Sequence, residues 1–227
     1  MQTAFIHIWN RLVGAVAWDP RAAVASFEYD PKFIDNGWDL APIKMPLTSG
    51  NRIYTFPELR KPKETAYDTF RGLPGLLADM LPDRYGNQLM DVWLARQGRP
   101  ANSMNPVEQL CFIGTRGMGA LEFEPAQPAS GESSYQLEIE SLVNISKQVL
   151  NQRAEFATDL GADEEKAVTD ILKIGTSAGG ARPKAVIAYN AETGEVRSGQ
   201  TIAPPGFEQW LIKLDGVSDV QLGQTHG

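Results

Sequence analysis

Residues 125–134 read PAQPASGESS, and no other stretch of the chain limits its fold as strongly. Proline, glycine and serine dominate there and large apolar side chains are absent, so the segment reads as a linker. A chain of 227 residues makes one large domain or two small ones. A break at this point predicts two parts: residues 1–124, and residues 135–227 beyond the linker.

The two sides differ in pattern. In the first, Phe5 to Trp9 and Leu12 to Trp18 are β-rich runs around Asn10-Arg11, which predicts a hairpin turning at those two residues. Ala25 to Asp30 alternates as a third strand. Ile43 to Leu47 is expected as a short edge strand, demoted by its prolines. Helical signals follow: a short helix within Leu73–Leu81, a longer one from Tyr85 to Arg96 ended by Gly98, and a third from Asn105 to Phe112. Asp83, in the run Leu81-Pro82-Asp83-Arg84-Tyr85-Gly86, is placed to cap the longer helix. Ala120 to Glu124 alternates like a returning strand. Past the linker, helical patterns over Glu138–Phe156 and from Asp163 precede strands at Lys184–Tyr189, Glu195–Arg197 and Gln209–Leu214. The expected class is therefore α+β, with a small antiparallel sheet first.

Charge and rare residues narrow the chemistry. The formal net charge is −7 and the pI is near 4.9, which argues against direct wrapping of nucleic acid. DNA reached through a basic partner stays open. The single cysteine, Cys111, lies among Leu110, Phe112 and Ile113 and reads as an apolar core residue. Two histidines, His7 and His226, leave little for a histidine-based triad or metal site. The five tryptophans are expected in the core or at contacts between the parts. No run approaches the ~18 apolar residues of a membrane span, and the apolar N-terminus lacks a basic start, so a cytoplasmic protein is expected.

The segment Gly175 to Lys184 is the chemically suggestive one. As a Walker A loop it fails, because Ala181-Arg182 stands where Lys and Ser/Thr are needed. As a nucleophile elbow it matches G-x-S-x-G over Gly175–Gly179, but a helix precedes it and Pro183 with a β-rich run follows, the reverse of that motif. As a protein-kinase glycine loop it has the expected sequel of strand, turn and strand with a lysine, here Lys213. Small residues leave backbone N–H groups open to an anion, and Lys213 alternates with Ile212 and Leu214. A plain exposed turn with a solvated Lys213 accounts for the pattern equally well.

The order of several pieces resembles the HipA-like toxin kinases of bacterial toxin–antitoxin modules. The pieces are Asn10-Arg11-Leu12-Val13-Gly14, Phe27-Glu28-Tyr29, Met45-Pro46-Leu47, Leu76-Leu77, Leu81 to Gly86, Ile113-Gly114, Gly119-Ala120-Leu121, Ser177 to Lys184 and Trp210 to Lys213. The resemblance implies a Ser/Thr protein kinase in which an N-terminal subdomain precedes a kinase-like small lobe and a helical large lobe, using ATP and Mg2+. It implies a HipB-like DNA-binding antitoxin as partner, DNA contacted only through it, and a protein substrate such as an aminoacyl-tRNA synthetase. By residue it implies autophosphorylation at Ser177. Gly179, Gly180, Ala181, Arg182, Pro183 and Lys184 would wrap the nucleotide, and Lys213 would anchor its phosphates.

The family's catalytic base and metal-binding residues follow the lysine strand. Only Asp215 and Asp219 follow Lys213, without catalytic-loop context. The expectation is thus the first half of a kinase, with no catalytic or metal-ligating residue of its own and no activity alone. The alternative is a non-catalytic module that docks on a separate kinase or antitoxin chain.

Overall fold

The computed structural model describes residues 2–35, 38–50, 52–60, 68–117, 119–125, 184–199 and 203–214. They form an α+β protein whose chain divides into two compact units. Residues 1–81 and 104–127 make the first; residues 82–103 and 128–227 make the second.

The first unit is built on a five-stranded antiparallel sheet. Its strands are β1 (Gln2–Ile8), β2 (Arg11–Asp19), β3 (Val24–Tyr29), β4 (Ile53–Thr55) and β5 (Leu121–Glu124), in the order β4-β3-β2-β1-β5. The expected hairpin is present, but its turn lies one residue earlier than the sequence suggested. Ile8 pairs with Arg11, which leaves Trp9-Asn10 as the two loop residues. Both have positive φ, 47° and 61°, as the tight hairpin turn that follows strand twist requires. Asn10 tolerates this at the second position, and Arg11 goes into the ladder.

Gly14 explains part of the Arg11-Leu12-Val13-Gly14 run. A Cβ there would stand 2.1 Å from the Glu28 carbonyl oxygen and 3.0 Å from the Tyr29 Cα. Only glycine lets β3 lie this close against β2.

No strand forms over Ile43–Leu47. The chain turns there and enters a 3-10 helix at Leu47–Ser49, and the edge strand is β4 instead. Pro42 and Pro46 cannot donate to a ladder. Hydrogen bonds from aromatic hydroxyls hold the segment: Tyr29 donates to the Met45 carbonyl at 3.1 Å and Tyr54 to that of Pro46 at 2.8 Å. Met45 and Leu47 are buried in consequence.

Among the described residues there are four α-helices: α1 (Pro31–Ile34), α2 (Gly75–Ala78), α3 (Arg84–Arg96) and α4 (Pro106–Ile113). Asn105 caps α4 by accepting from the Glu108 N–H at 3.0 Å, with Pro106 at the first helical position. Helix α4 packs on β1, β2 and β5. Its Val107, Leu110 and Cys111 close the core formed by Ala4, Ile6, Val16, Phe27 and Phe123. Fully burying side chains of this size contributes about 1.5–3 kcal/mol each. Cys111 is buried as its neighbours suggested, and burial pushes its thiol up, away from thiolate chemistry.

The second unit contains α3 and a three-stranded antiparallel sheet of β6 (Lys184–Tyr189), β7 (Val196–Ser198) and β8 (Glu208–Lys213), in the order β7-β6-β8. The turn between β6 and β7 is set by Asn190, whose Oδ1 accepts from the Glu192 and Thr193 N–H groups, and by Gly194 at φ 73°. The helices expected over Glu138–Phe156 and from Asp163 lie outside the described residues. No helix among the described residues is long and apolar enough to cross a membrane.

Candidate functional site

Of the residues singled out from the sequence, Lys184 and Lys213 are described. Ser177, Gly179, Gly180, Ala181, Arg182 and Pro183 lie outside the described residues. Antiparallel pairing places Lys184, the first residue of β6, directly opposite Lys213, the last residue of β8. Both therefore stand at the end of the sheet where the Gly175–Pro183 segment joins it. Lys213 is exposed and Lys184 is half-buried. Like charges facing each other across a strand pair are unfavourable. A nearby anion offsets that repulsion, and Lys184 already feels the charge of the Asp83 carboxylate.

The period of two along a strand assigns what accompanies the lysines. Val186 lies opposite Leu211, and Ala188 opposite Gln209. These pairs share the face of Lys184 and Lys213. Leu211 is 52% exposed, large and apolar. Gly199 crowds Val186: it donates to the Val186 carbonyl at 2.9 Å, and a Cβ on it would meet Val186 Cγ1 at 2.6 Å. The face thus has a cationic end and an apolar step next to it. Ala185, Ile187 and Trp210 belong to the opposite face. Trp210 is also half-exposed and Trp9 is 66% exposed, so neither is buried in a core.

A carboxylate also belongs to this end of the sheet. Asp83 caps α3 by accepting from the Gly86 N–H at 2.8 Å, as the sequence suggested. Burial pushes its carboxyl up, opposed by the Gly86 hydrogen bond and then by the charge of Lys184. Lys184 is therefore within electrostatic reach of the α3 N-terminus. Val186 and Leu211 were missed from the sequence, where they read only as strand core. Their signal was the spacing: Val186 is two residues after one lysine, and Leu211 two before the other.

Among the described residues, no group of three or more His, Cys, Asp or Glu side chains is placed to hold a metal ion. The first unit carries a separate apolar groove of about 430 Å³, lined by Leu40, Met45, Phe56, Leu59, Phe70 and Leu76 among others. It has no cluster of reactive groups.

Comparison with known proteins matches residues 4–124 to the HipA N-terminal domain. A solved structure of the Shewanella oneidensis toxin–antitoxin system, HipA and HipB with operator DNA, is similar at 17% identity with a TM-score of 0.45. The alignment covers 86% of this chain and 37% of that one, so the present chain spans well under half the length of its structural relative. Among curated proteins no significant match is found.

Proposed function

Because the chain belongs to the HipA N-terminal domain family, we propose that it is the N-terminal part of a HipA-like serine/threonine-protein kinase, the toxin of a bacterial toxin–antitoxin module. The observation that carries the kinase reading is the Lys184–Lys213 pair beside the Val186–Leu211 step. Protein kinases put a lysine on a small-lobe strand against the ATP phosphates, with a valine following the glycine loop. Here the ammonium group of Lys213, with Lys184 opposite it, takes the phosphates of ATP. The apolar step takes the adenine ring.

The loop residues complete the binding. On this reading Gly179, Gly180, Ala181, Arg182, Pro183 and Lys184 are the residues that wrap the nucleotide, as the family resemblance implies. The Ser177 hydroxyl serves as the self-modification site. Its Oγ forms a bond to the γ-phosphorus, the bond from that phosphorus to the β,γ-bridging oxygen breaks, and ADP leaves. The serine proton passes to a carboxylate base outside this chain's assigned residues. Magnesium bound with ATP would neutralise phosphate charge.

The partners follow the family. A HipB-like antitoxin brings the acidic chain to operator DNA, and the complete enzyme modifies Ser/Thr on a protein such as an aminoacyl-tRNA synthetase. Labelled ATP tests the reading on the complete protein, beside the 227-residue chain. Label at Ser177 in the complete protein and none in the 227-residue chain is expected. A complete protein that binds its antitoxin but never transfers phosphate would leave the docking module as the correct reading.

A further inference from the structure

Alternation along the strands sends Ala4, Ile6, Val16, Phe27 and Phe123 to one face of the five-stranded sheet, where they form the core. Helix α4 packs on that side. The cross-strand register defines what the opposite face carries. One row runs Glu124, Phe5, Ala15, Glu28, Ile53 from β5 to β4, and the next runs Thr3, Ala17, Ser26, Thr55 from β1 to β4. Phe5 is 48% and Ile53 60% exposed. Glu28 and Glu124, their neighbours in the row, are exposed as well. Ser26 and Thr55 satisfy each other through a 2.8 Å hydroxyl bond. Large apolar groups and carboxylates thus stand side by side on an open sheet face.

Shape and charge indicate what covers it. Phe5 on β1 and Ile53 on β4 are the walls of a shallow trough floored by Ala15, Ala17 and Ser26. Three strand spacings separate the walls, about 14 Å, and a helix with its side chains is about 10–12 Å across. A hollow of about 250 Å³ opens beside Phe5 and is lined by Leu12, Ala15, Glu28 and Asp30 among others. Arg11 is the one lysine or arginine in the five strands, and it pairs with Ile8, a residue of the core face. The open face is therefore acidic, with Glu122 joining Glu28 and Glu124 on it, opposite His7. Such a face repels nucleic acid and anionic lipid. It also opposes a second copy of itself in a chain of net charge −7. A segment that is both cationic and apolar complements it.

We propose that the open face of the five-stranded sheet docks a basic amphipathic helix of a protein partner. The apolar stripe of the helix lies between Phe5 and Ile53, over the two alanines. Its lysine or arginine side chains reach Glu28 and Glu124. One of them enters the hollow, with its stem along Leu12 and Phe5 and its charge toward Glu28. The site belongs to the first unit and does not depend on the kinase reading.

A blocked peptide of about 16 residues, with leucines on one helical face and lysines along both edges, is titrated into the intact chain and followed by amide NMR. A scrambled peptide of the same composition and a version with glutamate for lysine are run beside it. Saturable shifts centred on Phe5, Ala15, Glu28 and Ile53 are expected with the first peptide alone. Affinity should fall about tenfold or more in the E28Q/E124Q chain and in I53S. The replaced side chains are exposed, so the Tm of E28Q/E124Q should match that of the parent. The E192Q/E208Q chain loses the same charge from exposed positions in the second unit and should bind as the parent does. No saturable shift, shifts centred elsewhere, or equal binding of the scrambled peptide overturns the proposal. So do equal losses in the two charge-neutralised chains, since the attraction would then be to net charge and not to this face.

Discussion

Lys213 ends an edge strand, exposed, with Lys184 opposite. Replacing it with alanine removes a repulsion and breaks no described contact. The Tm of Lys213→Ala is therefore expected to be unchanged or slightly raised, by calorimetry at low salt, where surface charge is least screened. Gly14 behaves in the opposite way. An alanine Cβ there meets backbone at 2.1 Å, and backbone cannot rotate aside as a side chain can. Gly14→Ala is expected to cost about 1–3 kcal/mol or more, read as a lower denaturant midpoint with an unchanged slope. The sequence marked Gly14 only as part of a run. The reason for it, the approach of β3, depends on a strand fourteen residues away and appears only once the pairing is known. Lys213 was legible because alternation within β8 is local. Val186 and Leu211 were not, because an apolar residue in a strand reads as core whichever face it occupies.

At the scale of elements, caps and breakers were the readable signals. Asp83, Asn105 and Gly98 ended their helices where their chemistry requires. The prolines at 42 and 46 weakened a strand so far that none formed. The hairpin turn slipped by one residue because a tryptophan at positive φ is not what the sequence leads one to expect.

Asp83 also gives a pH prediction. Its folded-state pKa is raised by burial, so relative to the unfolded chain its contribution to stability is present at low pH and is lost as pH rises through the folded-state pKa. Asn caps helices about as well as Asp and does not titrate. The Tm of the parent minus that of Asp83→Asn should therefore be more favourable in mild acid than at neutral pH. Asp83→Ala, which neither caps nor titrates, should lie about 1 kcal/mol below Asp83→Asn at both pH values. A difference that grows toward neutral pH would mean that the Lys184 charge outweighs burial at this carboxylate.

At the scale of the whole molecule, the compact units are not contiguous in sequence: one takes residues 1–81 and 104–127, the other residues 82–103 and 128–227. Composition carries no information on which unit a helix joins. Residues 82–103 group with the second unit although the chain passes through them before β5. Their apolar side chains Leu89, Met90 and Leu94 are buried. A fragment of residues 1–124 is thus expected to keep the sheet and α4, because their core is complete without α3. Hydrogen exchange should show α3 amides less protected in the fragment than in the whole chain, and β1–β3 amides equally protected. Equal protection of α3 in both would place its support within the first 124 residues.

The central claim is that the lysine end of the second sheet receives ATP phosphates. Titration of ATP into the 227-residue chain, followed by amide NMR, tests it most directly. The account predicts saturable shifts clustered at Lys184, Val186, Leu211 and Lys213, weakened about tenfold or more in Lys213→Ala, as expected for losing a charged hydrogen bond worth about 1.5–3 kcal/mol. Shifts that do not saturate, that fall elsewhere, or that persist unchanged in Lys213→Ala would contradict it.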